Sequence, residues 1–373
     1  MKRPTGPRLP KQTNTLTAID LCSGPGGVTT GYKAAGVRVL AAVDTDPDAC
    51  ATYSLNHPEV RLFPDDIAAL DPKRILVELE LKPRHLDILT ACVPCQTFST
   101  LSNKATSKSR ADPRNRLVLR IVHFVKVLKP RAIVMENVPG LRDNRRFAIL
   151  LGRLRRAGYG IRFEVVDAAD FGVPQRRRRL VLIALRGKAD SAVPKLEPTH
   201  PALRGFRRHK TVREVLRLVR RRAAGDPLAR SRTQFPPMVA KRIAAIPANG
   251  GGRTSLPPAL QLACHTELGA SGAGSSYGRM SYDDVAPTLT TRCVTPACGR
   301  FLHPRANRPI TLREAACLQT FPLHYTFEGG TMSVQSQIGN AVPPRLARGI
   351  ALVVANALQA DANGKRSARS GTA

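Results

Sequence analysis

The first half of the chain alternates short apolar runs with helical stretches, from Leu16 to about Leu185. Stretches with a helical spacing of apolar residues, such as Leu117–Leu128, separate the runs. Apolar strands separated by helices are typical of a mostly parallel sheet covered on both faces. The sequence therefore predicts an α/β fold for this half. The predicted strands are 16–21, 37–43, 86–91, 132–135, 161–166 and 180–185.

The pattern breaks down between about Arg186 and Arg308, where Pro, Gly and basic residues are frequent, and a final helical stretch follows at Pro344–Leu358. Residues 1–14 and 361–373 are polar, and polar chain ends are typical of mobile tails. We expect a sheet domain at 15–186 that 335–360 completes, a smaller irregular domain at 187–334, and flexible tails at 1–14 and 361–373.

Charge is the strongest clue from composition. The 373 residues include 59 Lys and Arg against 27 Asp and Glu, a net charge of +32. Such a field favours a polyanion, with nucleic acid the leading candidate, although codon bias in a GC-rich genome also enriches Arg. No apolar run reaches the roughly 18 residues that span a bilayer, and the polar stretch Met1–Asn14 has no signal-peptide pattern. We expect no membrane partner and a cytoplasmic location.

The eight cysteines do not indicate a disulfide scaffold in a long chain without an export signal. Cys92 and Cys95 form the only C-x-x-C pair, and a zinc site needs a second pair at matching spacing. We expect no metal site.

A Gly-rich turn, Asp20–Gly27, follows the first predicted strand and opens a helix. Glycines in such a turn let backbone approach a ligand at the carboxyl edge of a sheet. Asp44 ends the second strand, where an acid can bind ribose hydroxyls, and Asp66 lies in a later loop, where it could contact an adenine amino group. A structural turn with solvated acids is the alternative.

Two further strand ends carry reactive groups, and a basic run precedes another strand. Cys95 comes just past one strand and Glu136 directly ends another, while Arg176–Arg179 precedes a third. Nearby cations would raise the thiolate fraction of Cys95. An inert buried thiol and a surface acid are the alternatives for each residue alone, but the convergence of these strand ends on one edge favours a reactive centre.

Taken in order, these motifs resemble the cytosine-C5 DNA methyltransferases, between residues 15 and 358. Pro94-Cys95-Gln96 resembles the family's nucleophile motif, and Glu136-Asn137-Val138 its acid motif. Gln175–Arg179 is similar to its Gln-x-Arg-x-Arg motif, and Gln337–Pro344 to its last cofactor motif. The segment from Arg313 to Pro322 resembles the motif that frames the recognition domain.

The resemblance implies a Rossmann-like, S-adenosylmethionine-dependent methyltransferase sheet with a smaller target-recognition domain at 187–334. It implies that the cofactor is bound by Asp20, Cys22, Gly24, Gly26, Gly27, Asp44, Asp66, Asn340 and Val342. It makes Cys95, Glu136, Arg177 and Arg179 catalytic, and Gln96, Ser99, Asn137, Gln175, Thr291 and Arg292 substrate-binding.

The chemistry that the resemblance implies is addition of the Cys95 thiolate to C6 of a flipped-out cytosine, which makes C5 nucleophilic. Glu136 would hydrogen-bond N3 and the exocyclic amine, Arg177 would stabilise charge at O2, and Arg179 would hold the thiolate or its loop. The polar stretch 96–116 would close over the base.

Three positions depart from the family pattern. Cys22 stands where the family usually has Phe against the adenine ring, which puts cofactor affinity in doubt; Thr97 replaces a usual Pro, and Arg178 a usual Glu. No required chemical group is lost, so we expect activity.

The implied function is methylation of cytosine C5 within a specific double-stranded DNA sequence, as a monomeric bacterial modification enzyme with a separately encoded restriction endonuclease as a candidate partner. Basic residues such as Lys210, Arg220, Arg221 and Arg222 could meet phosphates. A tRNA cytosine-C5 methyltransferase and a DNA-binding protein without catalysis are the alternatives, against which the long recognition stretch and the intact motifs argue.

Overall fold

The computed structural model describes residues 15–94, 117–199, 209–223, 225–230, 234–262 and 275–370, with side chains through residue 361. The expected tail at 1–14, the nucleophile Cys95 and the expected closing segment through residue 116 lie outside the described residues.

The sheet has seven strands in the order β3-β2-β1-β4-β5-β7-β6. Strands β1 to β5 pair in parallel, whereas β7 is antiparallel to both β5 and β6. The strands are β1 (Thr17–Leu21), β2 (Arg38–Val43), β3 (Arg61–Phe63), β4 (Ile88–Ala91), β5 (Ala132–Asn137), β6 (Tyr159–Asp167) and β7 (Arg178–Arg186). The carboxyl ends of β1, β2, β4 and β5 and the start of β7 therefore meet at one edge of the sheet.

Helices cover the sheet and build much of the second half. Their ranges are α1 (Gly27–Ala34), α2 (Pro47–Asn56), α3 (Pro72–Glu78), α4 (Leu117–Leu128), α5 (Arg145–Arg156), α6 (Val212–Arg222), α7 (Pro237–Ala245), α8 (Leu312–Leu318), α9 (Thr331–Asn340) and α10 (Pro344–Ser370).

Local sequence explains where several helices begin. The Asp46 and Asp71 side chains cap α2 and α3, each followed by a proline whose missing N–H costs nothing at that position. Thr311 and Glu314 form a reciprocal capping box at the start of α8.

Two apolar layers sandwich the sheet. In α4 the buried residues recur at helical spacing, among them Val118, Ile121 and Val125, and they pack with alternate residues of β4 and β5. On the other layer α10 contributes Leu346, Ile350 and Val354, which pack with Tyr32 of α1. The segment 344–358 therefore completes the sheet region, although it comes last in the chain.

The predicted α/β sheet is confirmed, with differences at particular elements. The three-residue strand β3 was not predicted because its run is too short to show periodicity. Strand β5 runs through Asn137, so Glu136 lies within the strand rather than after it, since β7 pairs with both residues. Helix α10 continues to Ser370, into the expected tail, where Asp361 pairs with Lys188 at 2.5 Å.

Between residues 209 and 342 the described chain contains short helices and isolated bridges rather than named strands. One apolar cluster surrounds α6, α8 and α9, and a small second cluster includes Ile243, Leu256 and Leu302. The boundaries at 187–334 and 335–360 remain predictions.

Candidate active site

The Gly-rich turn between β1 and α1 forms a tight backbone cradle. Gly24 and Gly26 have positive φ angles of 53° and 92°, a conformation that favours glycine. A Cβ at Gly26 would lie 2.7 Å from the His57 ring, and one at Gly27 would lie 2.3 Å from the carbonyl oxygen of Val342. A Cβ at Gly24 would meet nothing within 4 Å. The turn is therefore packed behind Gly26 and Gly27 and open at Gly24.

Two carboxylates flank this cradle. The Gly24 N–H donates to Asp44 Oδ2 at 2.7 Å, and the Asp46 N–H donates to Asp44 Oδ1 at 3.0 Å. Asp20 is fully buried, and its Oδ2 accepts the Thr29 hydroxyl at 3.0 Å. Burial raises the pKa of Asp20 to about 7, with a further contribution from Asp44. Oδ1 of Asp20 has no hydrogen-bond partner among the described residues, so it can accept a bond from a ligand.

The other expected cofactor residues are spread around this edge. Cys22, half-buried with φ 56°, follows β1 directly and packs against one apolar layer. Val342 is buried against α1 in the other layer. Asn340 is exposed at the end of α9, and its amide donates to Ser336 at 3.3 Å. Asp66 is exposed and caps the following turn through Ala68 N–H.

The ends of β4 and β5 are held together by one side chain. Ala91 pairs with Met135 in the sheet, so the two strands end side by side. Beyond them, the buried Asn137 amide donates to the carbonyl oxygen of Val93 at 3.1 Å. Val93 is two residues before Cys95, and the structure therefore brings the chain leading to Cys95 to the Glu136 strand end.

Arg179 pairs with Glu136 at this edge. Glu136 faces Val181 across the β5–β7 ladder, and Arg179 is two residues from Val181, so both side chains lie on one face of the sheet. Arg179 Nε lies 3.0 Å from Glu136 Oε1, and both side chains are largely buried. The contact lacks the direction of a hydrogen bond, and Oε1 has no hydrogen-bond partner among the described residues. A buried carboxylate oxygen thus stays available at the edge.

Arg177 contacts backbone carbonyls of the second half of the chain. Its fully buried guanidinium donates to three backbone carbonyls, those of Leu289 (3.0 Å), Gly339 (2.9 Å) and Ala341 (3.1 Å). Desolvation, followed by the positive charge of Arg179, lowers its pKa well below the usual value. These contacts tie the start of β7 to the second half, and the contact of Arg177 with a base stays a prediction.

Gln175 belongs to the same connection rather than to an open binding surface. Its amide nitrogen donates to Gln319 Oε1 at 2.6 Å, and its oxygen accepts the Leu289 N–H at 3.0 Å. Gln319 in turn donates to the carbonyls of Ile338 and Ala341. We call Gln175, Arg177 and Gln319 the polar connection. Sequence reasoning placed Gln319 in the segment that resembles the framing motif but did not predict its contact with Gln175, which lies 144 positions away in the chain.

Cys92 has the opposite properties to a nucleophile. Desolvation and the negative charges of Glu136 and Asp20 raise its pKa well above the usual value of a thiol. A thiol held neutral in this way is a poor nucleophile.

Thr291 and Arg292 are both exposed, on the segment that follows the Leu289 contact with the polar connection. Gln96 and Ser99, like Cys95, lie outside the described residues.

A second unpredicted group links the cradle to the segment after α8. The Tyr325 hydroxyl donates to the carbonyl oxygen of Pro25 and lies 3.1 Å from His57 Nε2. Burial, together with the charge of Lys33, lowers the pKa of His57 to about 4. His57 is therefore a neutral packing group behind Gly26. Tyr325 lies 268 positions from His57 in the sequence, so no local pattern predicts their contact.

Within the described residues, no group of three acidic, His or Cys side chains could hold a metal ion. None of the described helices is long and apolar enough to cross a bilayer.

Comparisons with known proteins show the family. The family model for C-5 cytosine-specific DNA methylases matches residues 16–356. The type II methylase M.HgiDII of Herpetosiphon aurantiacus is 36% identical over 89% of this chain and 93% of its own length. The type II methyltransferase M1.HphI of Haemophilus parahaemolyticus is 33% identical over 91% of this chain and 87% of its own.

Solved structures show the same fold. A protein assigned as a DNA modification methyltransferase encoded within an Escherichia coli prophage has a TM-score of 0.62 and 25% identity, over 92% of this chain and all of its own. The Entamoeba histolytica methyltransferase EhMeth has a TM-score of 0.60 and 17% identity, over 92% of this chain and 99% of its own, which is a likeness of fold alone.

Proposed function

Since the chain belongs to the C-5 cytosine-specific DNA methylase family, we propose that it methylates cytosine within a specific duplex sequence through Cys95, with S-adenosylmethionine as the methyl donor. The observation that carries the proposal is the hydrogen bond from Asn137 to Val93, which holds the chain before Cys95 beside Glu136 and its partner Arg179.

Cys95 supplies the electron pair. Its thiolate would add to C6 of a cytosine flipped out of the duplex and so make C5 nucleophilic. S-adenosylmethionine, when bound, would supply the methyl group that C5 takes up, with S-adenosylhomocysteine as the leaving group. Loss of the C5 proton to a base then restores the ring double bond and expels the Cys95 thiolate. Cys92 is unsuited to this step because its surroundings keep the thiol protonated.

Glu136 and Arg179 take the roles that need contact with the base. Oε1 of Glu136, which is ion-paired with Arg179 but accepts no hydrogen bond from the described residues, can share a proton with N3 or accept from the exocyclic amine. Arg179 lies beside it and can stabilise charge at O2. Arg177 is held differently, because its guanidinium is buried and three of its N–H groups donate to backbone carbonyls. We therefore assign the O2 contact to Arg179 and a positioning role to Arg177.

The cradle fits S-adenosylmethionine. When bound, S-adenosylmethionine supplies an electrophilic methyl group carried on its sulfonium. The unpartnered Asp20 Oδ1 can accept from the donor's ammonium, and the open face at Gly24 admits close approach. Asp44 keeps acceptor capacity for ribose hydroxyls after its two backbone bonds, because a carboxylate has about four lone-pair sites. Asp66, Asn340, Val342 and Cys22 would line the remainder.

Residues 187–334 would carry target recognition, with Thr291, Arg292 and the basic side chains of α6 facing DNA. The relatives M.HgiDII and M1.HphI are named type II methylases. A restriction endonuclease with the same target is therefore the partner we propose, with the methylase itself acting on DNA as a monomer in the cytoplasm. The relatives at 30% identity or more carry names of this type, which favours DNA over tRNA as the substrate.

Serine substitutions at Cys95 and Cys92 test the assignment of the nucleophile. Cys95→Ser should abolish transfer of labelled methyl groups to duplex DNA while duplex binding survives, whereas Cys92→Ser should remain active. Comparable turnover by Cys95→Ser would refute the assignment of the nucleophile. Methyl transfer to tRNA but not to DNA would refute the assignment of the substrate.

A matched pair tests the two arginines. Arg179→Met should lower kcat by about 10²–10³-fold, as for loss of one oxyanion donor. Arg177→Met should instead lower Tm, because three buried carbonyls lose their donor. A loss of kcat without a loss of Tm in Arg177→Met would contradict the exchange of roles.

A further inference from the structure

A second concave site lies on the sheet edge opposite the active site. Its cavity of about 660 Å³ is lined by Arg84, Val125, Lys126, Lys129, Arg153, Arg156, Ala157, Tyr159 and Arg186. Arg84 precedes β4, Tyr159 begins β6, and Arg186 ends the antiparallel β7, so all three lie at the amino edge of the parallel strands. The four residue steps from Ala132 to Glu136 along β5 span about 13 Å, which separates this edge from the proposed catalytic group.

The cavity is strongly positive. Six of its nine lining residues are Lys or Arg, and none is acidic. The neighbouring acids are paired elsewhere, Asp87 with Arg131 and Asp190 with Arg155, each at 2.8 Å. None of the six cations has a carboxylate partner within the part of the chain that the structure describes. The described residues therefore do not neutralise the excess charge at this edge.

Helix capping accounts for only part of this cluster. Lys126 lies in the last turn of α4, and Arg153 and Arg156 lie in the last turn of α5, where cations interact favourably with the helix dipole. Arg186 donates to the Lys129 carbonyl, and Arg156 donates to that of Gly152. The side chains of Arg84, Lys126 and Arg153 make no such bond to the described chain, although they line the same concavity.

Backbone conformation adds a second indication. Arg84 and Lys129 have φ angles of 74° and 49°, where glycine is the favoured residue. At both positions the chain carries a long cation that lines the cavity. Six convergent cations in a concavity of this size suit a ligand with several phosphate charges, because each phosphate oxygen can accept charge-assisted hydrogen bonds.

We propose that this amino-edge cavity is a second anion site that binds phosphate groups, separate from the DNA surface used in catalysis. The phosphates come from a free polyphosphate or from the backbone of a DNA segment that is not being methylated. The proposal depends on the cavity alone and holds whether or not Cys95 is the nucleophile.

The first arm of the test uses inorganic tripolyphosphate, titrated calorimetrically into the full chain at low salt. The double variant Lys126→Gln/Arg153→Gln should weaken binding by about tenfold or more, since each lost charge-assisted bond contributes on that order. The control Arg38→Gln/Lys73→Gln removes the same charge from exposed positions outside the cavity and should leave binding unchanged. Equal weakening in both variants, or no saturable binding, would overturn the proposal.

The second arm distinguishes the sources. A duplex of A·T pairs alone, which offers no cytosine, is titrated into the same two variants. If the cavity variant also weakens duplex binding relative to the control, the site takes the DNA backbone. If only tripolyphosphate binding falls, it takes a free polyphosphate. If neither ligand distinguishes the cavity variant from the control, the site does not exist.

Discussion

The interior around the sheet is packed with apolar side chains, whereas the interior between residues 243 and 341 combines apolar clusters with buried arginine and glutamine side chains that donate to backbone carbonyls. Around the sheet, residues such as Ile19, Leu89 and Ile133 fill two continuous layers. In the second half, Arg279 donates to the carbonyls of Ile243, Ile246, His303 and Ala306 and to the Asn307 side chain.

The difference follows from secondary structure. Strands satisfy each other's carbonyls, so their side chains can be apolar on both faces. Irregular loops leave carbonyls that need other donors, and a guanidinium offers five. Part of the basic composition is therefore structural, because Arg177 and Arg279 are buried and donate to backbone carbonyls.

The largest effect is expected at Arg279. Arg279→Met should cost about 4 kcal/mol or more, because several buried carbonyls lose their donor together. Hydrogen exchange should rise in residues 243–307 and remain unchanged in β1 and β4. The control Arg217→Met removes an exposed Arg of α6 and should leave both regions unchanged. An equal rise of hydrogen exchange in β1 and β4 would show that the two interiors do not unfold independently.

Truncation in the sheet should cost slightly less. Ile133→Ala in β5 should reduce the free energy of unfolding by about 3 kcal/mol, from lost apolar contact and the cavity left behind. Urea unfolding followed by far-UV circular dichroism measures it. Ile133→Val should cost about 1 kcal/mol, and an equal cost for both variants would argue against close packing at this position.

Lowering the pH should destabilise both regions, because each contains a histidine whose burial disfavours the protonated ring. Burial lowers the pKa of both His57 and His303 to about 4, against a usual value near 6.5. The unfolded chain binds those protons first, so stability is lost as the pH falls from about 6.5 to about 4. For the fully packed His57 the loss is up to about 3 kcal/mol.

The stability advantage of the wild type over His57→Gln should therefore shrink as the pH is lowered across this window, as seen in Tm at each pH. His303→Gln should show the same sign. Asp20 opposes the trend, because its raised pKa of about 7 means that its contribution is lost as the pH rises from about 4 to 7. A pH-independent difference between wild type and His57→Gln would contradict burial of a neutral ring.

The smallest effects are expected from alanine substitutions at two glycines of the sheet region. Gly24→Ala should destabilise by about 1 kcal/mol, because its φ of 53° strains any Cβ even though the space is open. Gly152→Ala, in the middle of α5 with nothing within 4 Å, should stabilise by about 0.5–1 kcal/mol. Thermal melting of both variants checks the pair. A stabilising Gly24→Ala would mean that the cradle does not hold this left-handed turn.

The sequence predicted the parts of the fold that depend on local periodicity. Strands β1, β2, β4 and β5 were located from apolar runs, and their carboxyl ends converge as the rule for parallel strands requires. The antiparallel insertion of β7 was not predicted, because strand direction depends on the connection rather than on the residues of the strand. That insertion is what places Arg179 against Glu136.

The roles of the two arginines show where sequence reasoning stops. Arg177 and Arg179 are the same residue type two positions apart, and only their distant partners distinguish them. The polar connection and the Tyr325–His57 contact likewise join residues more than 100 positions apart. No local pattern encodes such contacts, so the structure was needed to identify them.

The most direct test of the account is a trapped adduct. A duplex that carries 5-fluorocytosine at the target blocks the loss of the C5 substituent, so the Cys95 sulfur should remain bound to C6 when the methyl donor is present. Peptide mass spectrometry should then find the modified base on Cys95, with no adduct when the donor is omitted. An adduct on Cys92, or none while ordinary duplex DNA is methylated, would contradict the account.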